Sequence, residues 1–157
     1  MSTLINLRWG LGFLFGLMLW AGQPAEVRAD EMRLKAQLIW GTNQDKPDQP
    51  HLKDISPQMR EKLKMLKWRN FFEVNDPDYP AKAFKLAQSE TQKLKLSARC
   101  EIEVTYLGDS KIRVELFGEG RSLHKISQPL SPGDLLVLAG EDKNDTAWFV
   151  VLTALKP

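Results

Sequence analysis

The clearest pattern in this chain is a strict alternation of apolar and polar positions over residues 93–106. Leu94, Leu96, Ala98, Cys100, Ile102, Val104 and Tyr106 occupy the even positions, and Lys93, Lys95, Ser97, Arg99, Glu101, Glu103 and Thr105 the odd ones. Period two places the first set on one face of extended chain and the second on the other, so a long strand is predicted with Cys100 pointing inward. Gly108-Asp109-Ser110 then supplies a turn into residues 111–117, where Ile112, Val114 and Leu116 again face one way, completing a hairpin. Glu101 and Glu103 are expected on the same outward side as Lys111 and Arg113, where cross-strand charge pairs contribute about 0.2–1 kcal/mol each. Gly118-Glu119-Gly120 allows a second turn into residues 121–127, and Ser131-Pro132-Gly133-Asp134 has proline and glycine where a type II turn takes them.

Weaker signals organise the rest. Residues 32–40 alternate, with Leu34, Ala36, Leu38 and Trp40 opposite Arg33, Lys35 and Gln37, and read as a first strand. Residues 41–54, rich in Pro, Asp, Gln and Asn, read as a surface loop. Ser56-Pro57 is an N-cap followed by proline at the first helical position, predicting one short helix over residues 57–67. Met59, Leu63 and Leu66 form its apolar stripe, suited to covering a sheet. Residues 68–75 (WRNFFEVN) read as a strand, with Trp68, Phe72 and Val74 on one face; residues 79–88 fit helix or strand. Residues 135–139 and 147–152 are apolar without alternation, which predicts strands covered on both faces and central in their sheet. About eight short strands, one helix and frequent turns define a mainly β, single-domain antiparallel β-sandwich or small partly open barrel.

The N-terminal segment changes the setting. Arg8 and the amino terminus precede an uncharged apolar run over residues 10–22, and Val27-Arg28-Ala29 is a small-residue cleavage site. The expectation is a cleavable signal peptide over residues 1–29, cleaved after Ala29, and a periplasmic or secreted domain over residues 30–157. Thirteen helical residues reach only about 20 Å, whereas a membrane span needs roughly 20 residues, so no stable membrane span is expected after cleavage. No cysteine lies in residues 23–30 to accept a lipid. The whole chain has 22 basic and 20 acidic residues; losing Arg8, Arg28 and Glu26 leaves a net charge of +1, which argues against nucleic acid as a partner.

Candidate chemistry is sparse. Cys100 is the single cysteine and excludes an internal disulfide, and pairing it with His51 or His124 as a catalytic dyad would require the thiol at a surface cleft. No nucleophile elbow, zinc-protease helix, C-x-x-C or phosphate-binding glycine loop is present. Asp45, Asp48, His51 and Asp54 recur every third residue among Pro47 and Pro50, which lines them along one edge of a polyproline II segment. Consecutive members would stand about 9 Å apart, too far for one ion unless the loop folds back, so neither a metal nor another cofactor is expected. Asn144-Asp145-Thr146 matches the glycosylation triplet.

A binding surface is the better-supported reading. Arg60, Lys64 and Lys67 form a basic stripe on the predicted helix, and Trp68 and Phe71 follow it with Phe72 and Tyr79 nearby. Aromatic planes beside cations can anchor an envelope protein or a surface polymer. The segments Gln37-Leu38-Ile39-Trp40-Gly41-Thr42-Asn43, Trp68-Arg69-Asn70-Phe71-Phe72-Glu73-Val74-Asn75, Cys100-Glu101-Ile102-Glu103-Val104 and Ala147-Trp148-Phe149-Val150-Val151-Leu152 together resemble a group of short exported bacterial proteins. The resemblance implies a bacterial envelope or extracellular setting and assigns no site residues. The expected function is thus a non-enzymatic binding or assembly module. Two alternatives carry their own signatures: a small hydrolase or isomerase needs a cleft holding two of Glu73, Glu101, Glu103 and Glu115, and a carbohydrate-binding module needs an exposed coplanar pair among Trp40, Trp68, Phe71 and Tyr79.

Overall fold

The computed structural model describes residues 30–45, 50–143 and 145–156. Residues 1–29, expected as a signal peptide, and Asp48 and Asn144 therefore lie outside the described residues. Among those residues the chain forms ten strands and one helix, arranged as two antiparallel sheets that do not close into a barrel, so the fold is a β-sandwich.

The first sheet is built on β1 (Glu31–Thr42) and β10 (Thr146–Ala154), which pair from Leu34↔Ala154 to Thr42↔Thr146. Its order is β2 (Leu52–Asp54), β3 (Asn70–Val74), β1, β10 and β9 (Leu135–Lys143). The free side of β1 is shared end to end: β4 (Lys82–Ala87) pairs with residues 31–36 and β3 with residues 39–42. The second sheet runs β5 (Thr91–Lys95), β6 (Cys100–Gly108), β7 (Lys111–Gly118) and β8 (Arg121–Pro129).

Two apolar clusters hold three layers together. Between the sheets Leu34, Ala36, Leu86, Ile102, Val104, Val114, Leu116, Val150 and Leu152 are fully or nearly fully buried. Burying a side chain of this size contributes roughly 1.5–3 kcal/mol. On the other face of the first sheet Ile39, Phe149 and Val151 lie under Ile55, Leu63 and Trp68, with Met59 and Leu66 packed on top. The strand β10 is thus covered on both sides, which is why its sequence is apolar without alternation.

The helix α1 (Pro57–Leu63) starts as its sequence dictates, with the Ser56 hydroxyl accepting a hydrogen bond from the Met59 N–H at 3.2 Å. It ends four residues before the expected Lys67, and Leu66 closes a turn onto the Leu63 carbonyl. The chain must drop there for the Trp68 ring to lie on the backbone of Gly41, where an added Cβ would stand 2.9 Å from the ring. Trp68 accordingly precedes β3 and shares the outer cluster with Phe71, not a strand face with Phe72 and Val74.

Several further expectations need correction. The alternating run is a hairpin rather than one strand: residues 96–99 turn back, and Ala98 is exposed. The Ser97 hydroxyl accepts from the Arg99 and Cys100 N–H groups and holds that turn. Because Leu94 pairs with Ile102, even positions stay opposite even positions, and the alternation passes through the turn unbroken. Glu101 and Glu103 are neutralised by Lys93 at 2.8 and 3.3 Å, not by Lys111 and Arg113, since they stand opposite Phe117 and Glu115. The expected loop over residues 41–54 contains the end of β1 and the short strand β2. Residues 82–87 are strand. Finally, β9 is an edge strand, although Leu136 and Leu138 face one cluster and Leu135 and Val137 the other.

Candidate functional site

The two sheets part at the end of the sandwich where β1 finishes and β10 begins, leaving a cleft of about 520 Å³. Its floor is a pair of tryptophans. Trp40 and Trp148 are cross-strand partners on the inner face of the first sheet, and both are only half-buried. The Trp148 indole lies flat on Gly140, where any Cβ would come within 2.0 Å of the ring, so glycine there is what lets the indole lie down as a shelf. Leu38 continues the floor toward the core.

The opposite wall comes from the tips of two hairpins, β5–β6 and β7–β8, which are tied together by the Glu119 N–H donating to the Arg99 carbonyl at 2.8 Å. Glu119 and Gly120 both have positive φ, 51° and 77°, the pairing that a two-residue hairpin turn demands. Gly118 has no side chain, and Leu123 fills that space and stands 44 % exposed on the wall. Cys100 closes the inner end at 4 % exposure. Burial, and secondarily the adjacent Glu101 charge, pushes its thiol up to about 12, so it is protonated and unreactive at neutral pH.

Charge is confined to the mouth. Arg99 pairs with Glu119 at 3.7 Å, both largely exposed. Arg121 lines the same mouth and has no ion-pair partner among the described residues. Among the described residues the cleft is therefore aromatic on one wall, mixed on the other with Leu123 as its aliphatic member, and net cationic at its entrance.

The basic and aromatic residues of the expected binding surface lie elsewhere. Trp68 and Phe71 are buried behind the first sheet, at 7 % and 3 % exposure, and Phe71 packs on Phe149 with ring centroids 6.2 Å apart. Arg60 and Lys64 are exposed on α1, and Lys64 pairs with Glu61. Lys67 lies over the outer side of the Trp68 ring at 4.7 Å from its centroid. The structure thus brings Lys67 to Trp68 but does not expose the aromatics as a platform. Tyr79 is half-buried with the Lys95 ammonium 5.9 Å from its ring centroid.

The candidate carboxylates also lie outside the cleft. Glu101, Glu103 and Glu115 share the outer face of the second sheet, where Lys125 and Ser122 bind Glu115 at 2.8 and 2.7 Å and hold it below the usual carboxylate range. Glu73 stands on the other sheet, on β3. Asp45 pairs with Arg69 at 3.2 Å, and Asp54 belongs to β2. Among the described residues no three His, Cys, Asp or Glu side chains are grouped to hold a metal ion, and no helix is long and apolar enough to cross a membrane.

Of the cleft residues, Trp40 and Cys100 were singled out by the sequence, neither of them as part of a shared cleft. Trp148, the cross-strand partner of Trp40, comes from the last strand, and Arg99, Arg121 and Leu123 from hairpin tips, so no local pattern connects them. Fold and site together define a two-sheet β-sandwich with a helix-backed face and an end-on cleft. No family model, curated protein or solved structure matches this chain.

Proposed function

We propose that this protein is an exported, non-enzymatic binding module of the bacterial envelope, and that its ligand enters the cleft between the sheets. The observation that carries this reading is the Trp40–Trp148 pair left half-open on the floor of a 520 Å³ cleft. Sites for small molecules are concave, mostly apolar and roughly 300–1,000 Å³, with a few polar groups placed to orient the guest. Large aromatics left partly buried at a concave surface can complete their burial on a ligand. The leader over residues 1–29 supports the envelope setting.

The lining favours binding over chemistry. Among the described residues its one carboxylate, Glu119, is paired with Arg99, and its one thiol is held protonated. Glu73, Glu101, Glu103 and Glu115 share no cleft, so the hydrolase reading gains no observation of its own; of Trp40, Trp68, Phe71 and Tyr79, Trp68 and Phe71 are buried and Tyr79 lies outside the cleft, so Trp40 alone of the four lines it.

A neutral apolar dye, N-phenyl-1-naphthylamine, tests the proposal. One dye per chain should bind and take energy from tryptophan emission, and Leu123→Asp, which puts a carboxylate on the cleft wall, should weaken it at least about ten-fold. Absence of dye binding, or binding that Leu123→Asp leaves unchanged, would refute a ligand cleft.

A further inference from the structure

The charges at the mouth point to the kind of guest. Among the described residues Arg99, Glu119 and Arg121 are the charged ones lining the cleft, and the Arg99–Glu119 pair leaves one positive charge. That charge is Arg121, which opens β8 directly after the tight turn at Glu119 and Gly120. A guanidinium stays ionised at any physiological pH and offers a planar fork of donors that matches a carboxylate. Exposed to water at the entrance, it loses little on binding an anion whose body lies further in. The rest of the lining has a different character: Leu38, Trp40, Cys100, Leu123 and Trp148 present ring faces, methyl groups and a neutral thiol, with the Ser97 and Thr146 hydroxyl side chains beside them.

We infer that the cleft takes a single-chain amphipathic monoanion, with its apolar body between the Trp40–Trp148 shelf and Leu123 and its terminal carboxylate on Arg121. This rests on the cleft being a ligand site and adds the class of ligand. The match is in charge and in shape: one unpaired cation at the opening of an apolar slot fits one acidic head on one apolar tail. A dianion would leave a second charge unmet, since Arg99 is already engaged by Glu119. An amine head would meet the Arg121 cation.

Three probes with the same tail and different heads separate the alternatives: decanoate, decanol and decylamine, titrated against the tryptophan emission of the mature chain. Decanoate should bind best, decanol several-fold more weakly, and decylamine more weakly still. Arg121→Gln should cost decanoate about ten-fold while leaving decanol unchanged, because a charge-assisted hydrogen bond is lost only where the head is charged. Circular dichroism of Arg121→Gln should match the parent, because the arginine lies on the surface. Equal binding of the three probes, or an equal loss of decanoate and decanol in Arg121→Gln, would overturn the head-group assignment and leave the ligand cleft standing. Failure of all three probes to bind would overturn both. If decyl phosphate binds more tightly than decanoate and responds equally to Arg121→Gln, the monoanionic carboxylate is the wrong head.

Discussion

Cys100 shows how one side chain can sit at a cleft without serving as its nucleophile. It lines the inner end of the opening, yet the low-polarity surroundings disfavour its thiolate and hold the thiol up to about 12 against an ordinary value of 9.0. The expected outcome is that a thiol reagent such as dithionitrobenzoate leaves the native protein untouched at pH 8 and titrates one equivalent after denaturation. Rapid native labelling would show that the thiol is open to solvent and the hairpin tips are not seated as described. The glycines at 118 and 140 work in the opposite sense: each withholds a Cβ so that a neighbour, Leu123 or Trp148, can occupy the space and shape a wall.

At the scale of elements, α1 acts as a lid on the back of the larger sheet rather than as a basic display. Leu63 is its buried anchor, 1 % exposed among Ile39, Phe149 and Val151. Leu63→Ala should cost about 2–5 kcal/mol in equilibrium unfolding, and Arg60→Ala on the exposed side within about 0.5 kcal/mol. Similar small losses for both would mean that the helix is not seated on the sheet. The elements also explain what was legible in the sequence. Strands β6 and β7, the Ser56-Pro57 helix start and the turns at 108–110, 118–120 and 131–134 follow local rules and could be read directly. The turn at 96–99 could not, because it uses no glycine or proline and keeps the parity of the hairpin. The edge position of β9 was hidden for a different reason. Cover on both faces makes an edge strand as apolar as a central one. The cleft was illegible because its walls meet only through pairing between β1 and β10 and between hairpin tips.

For the molecule as a whole, pH acts from both ends of the scale. Glu115 is held below its ordinary value by Lys125 and then Ser122, so its contribution is present above about 4.5 and lost as pH falls through the lower folded value. Lys93 is held above its ordinary 10.5 by Glu101 and Glu103, so its contribution is present below that value and lost as pH rises through the folded one. Cys100 adds to the alkaline side: the unfolded thiol ionises above 9.0 while the folded one does not until about 12, which favours unfolding by up to about 1.4 kcal/mol per pH unit in that interval. Chemical denaturation across pH should therefore give a plateau from about 5 to 9, a shallow acid limb weakened by Glu115→Gln, and an alkaline limb weakened by Cys100→Ala. An alkaline limb unchanged in Cys100→Ala would count against the buried thiol. A last consequence follows from the pairing of Leu34 with Ala154. In chain order the strand at the centre of the larger sheet comes before all four strands of the smaller sheet and its main partner after them, so the smaller sheet can assemble by local hairpins while β1 waits with an open edge. Long-range pairing of this kind is slow, from milliseconds to seconds. The nascent chain is thus most vulnerable to capture, whether by a chaperone or by another copy of itself, in the interval before β10 arrives.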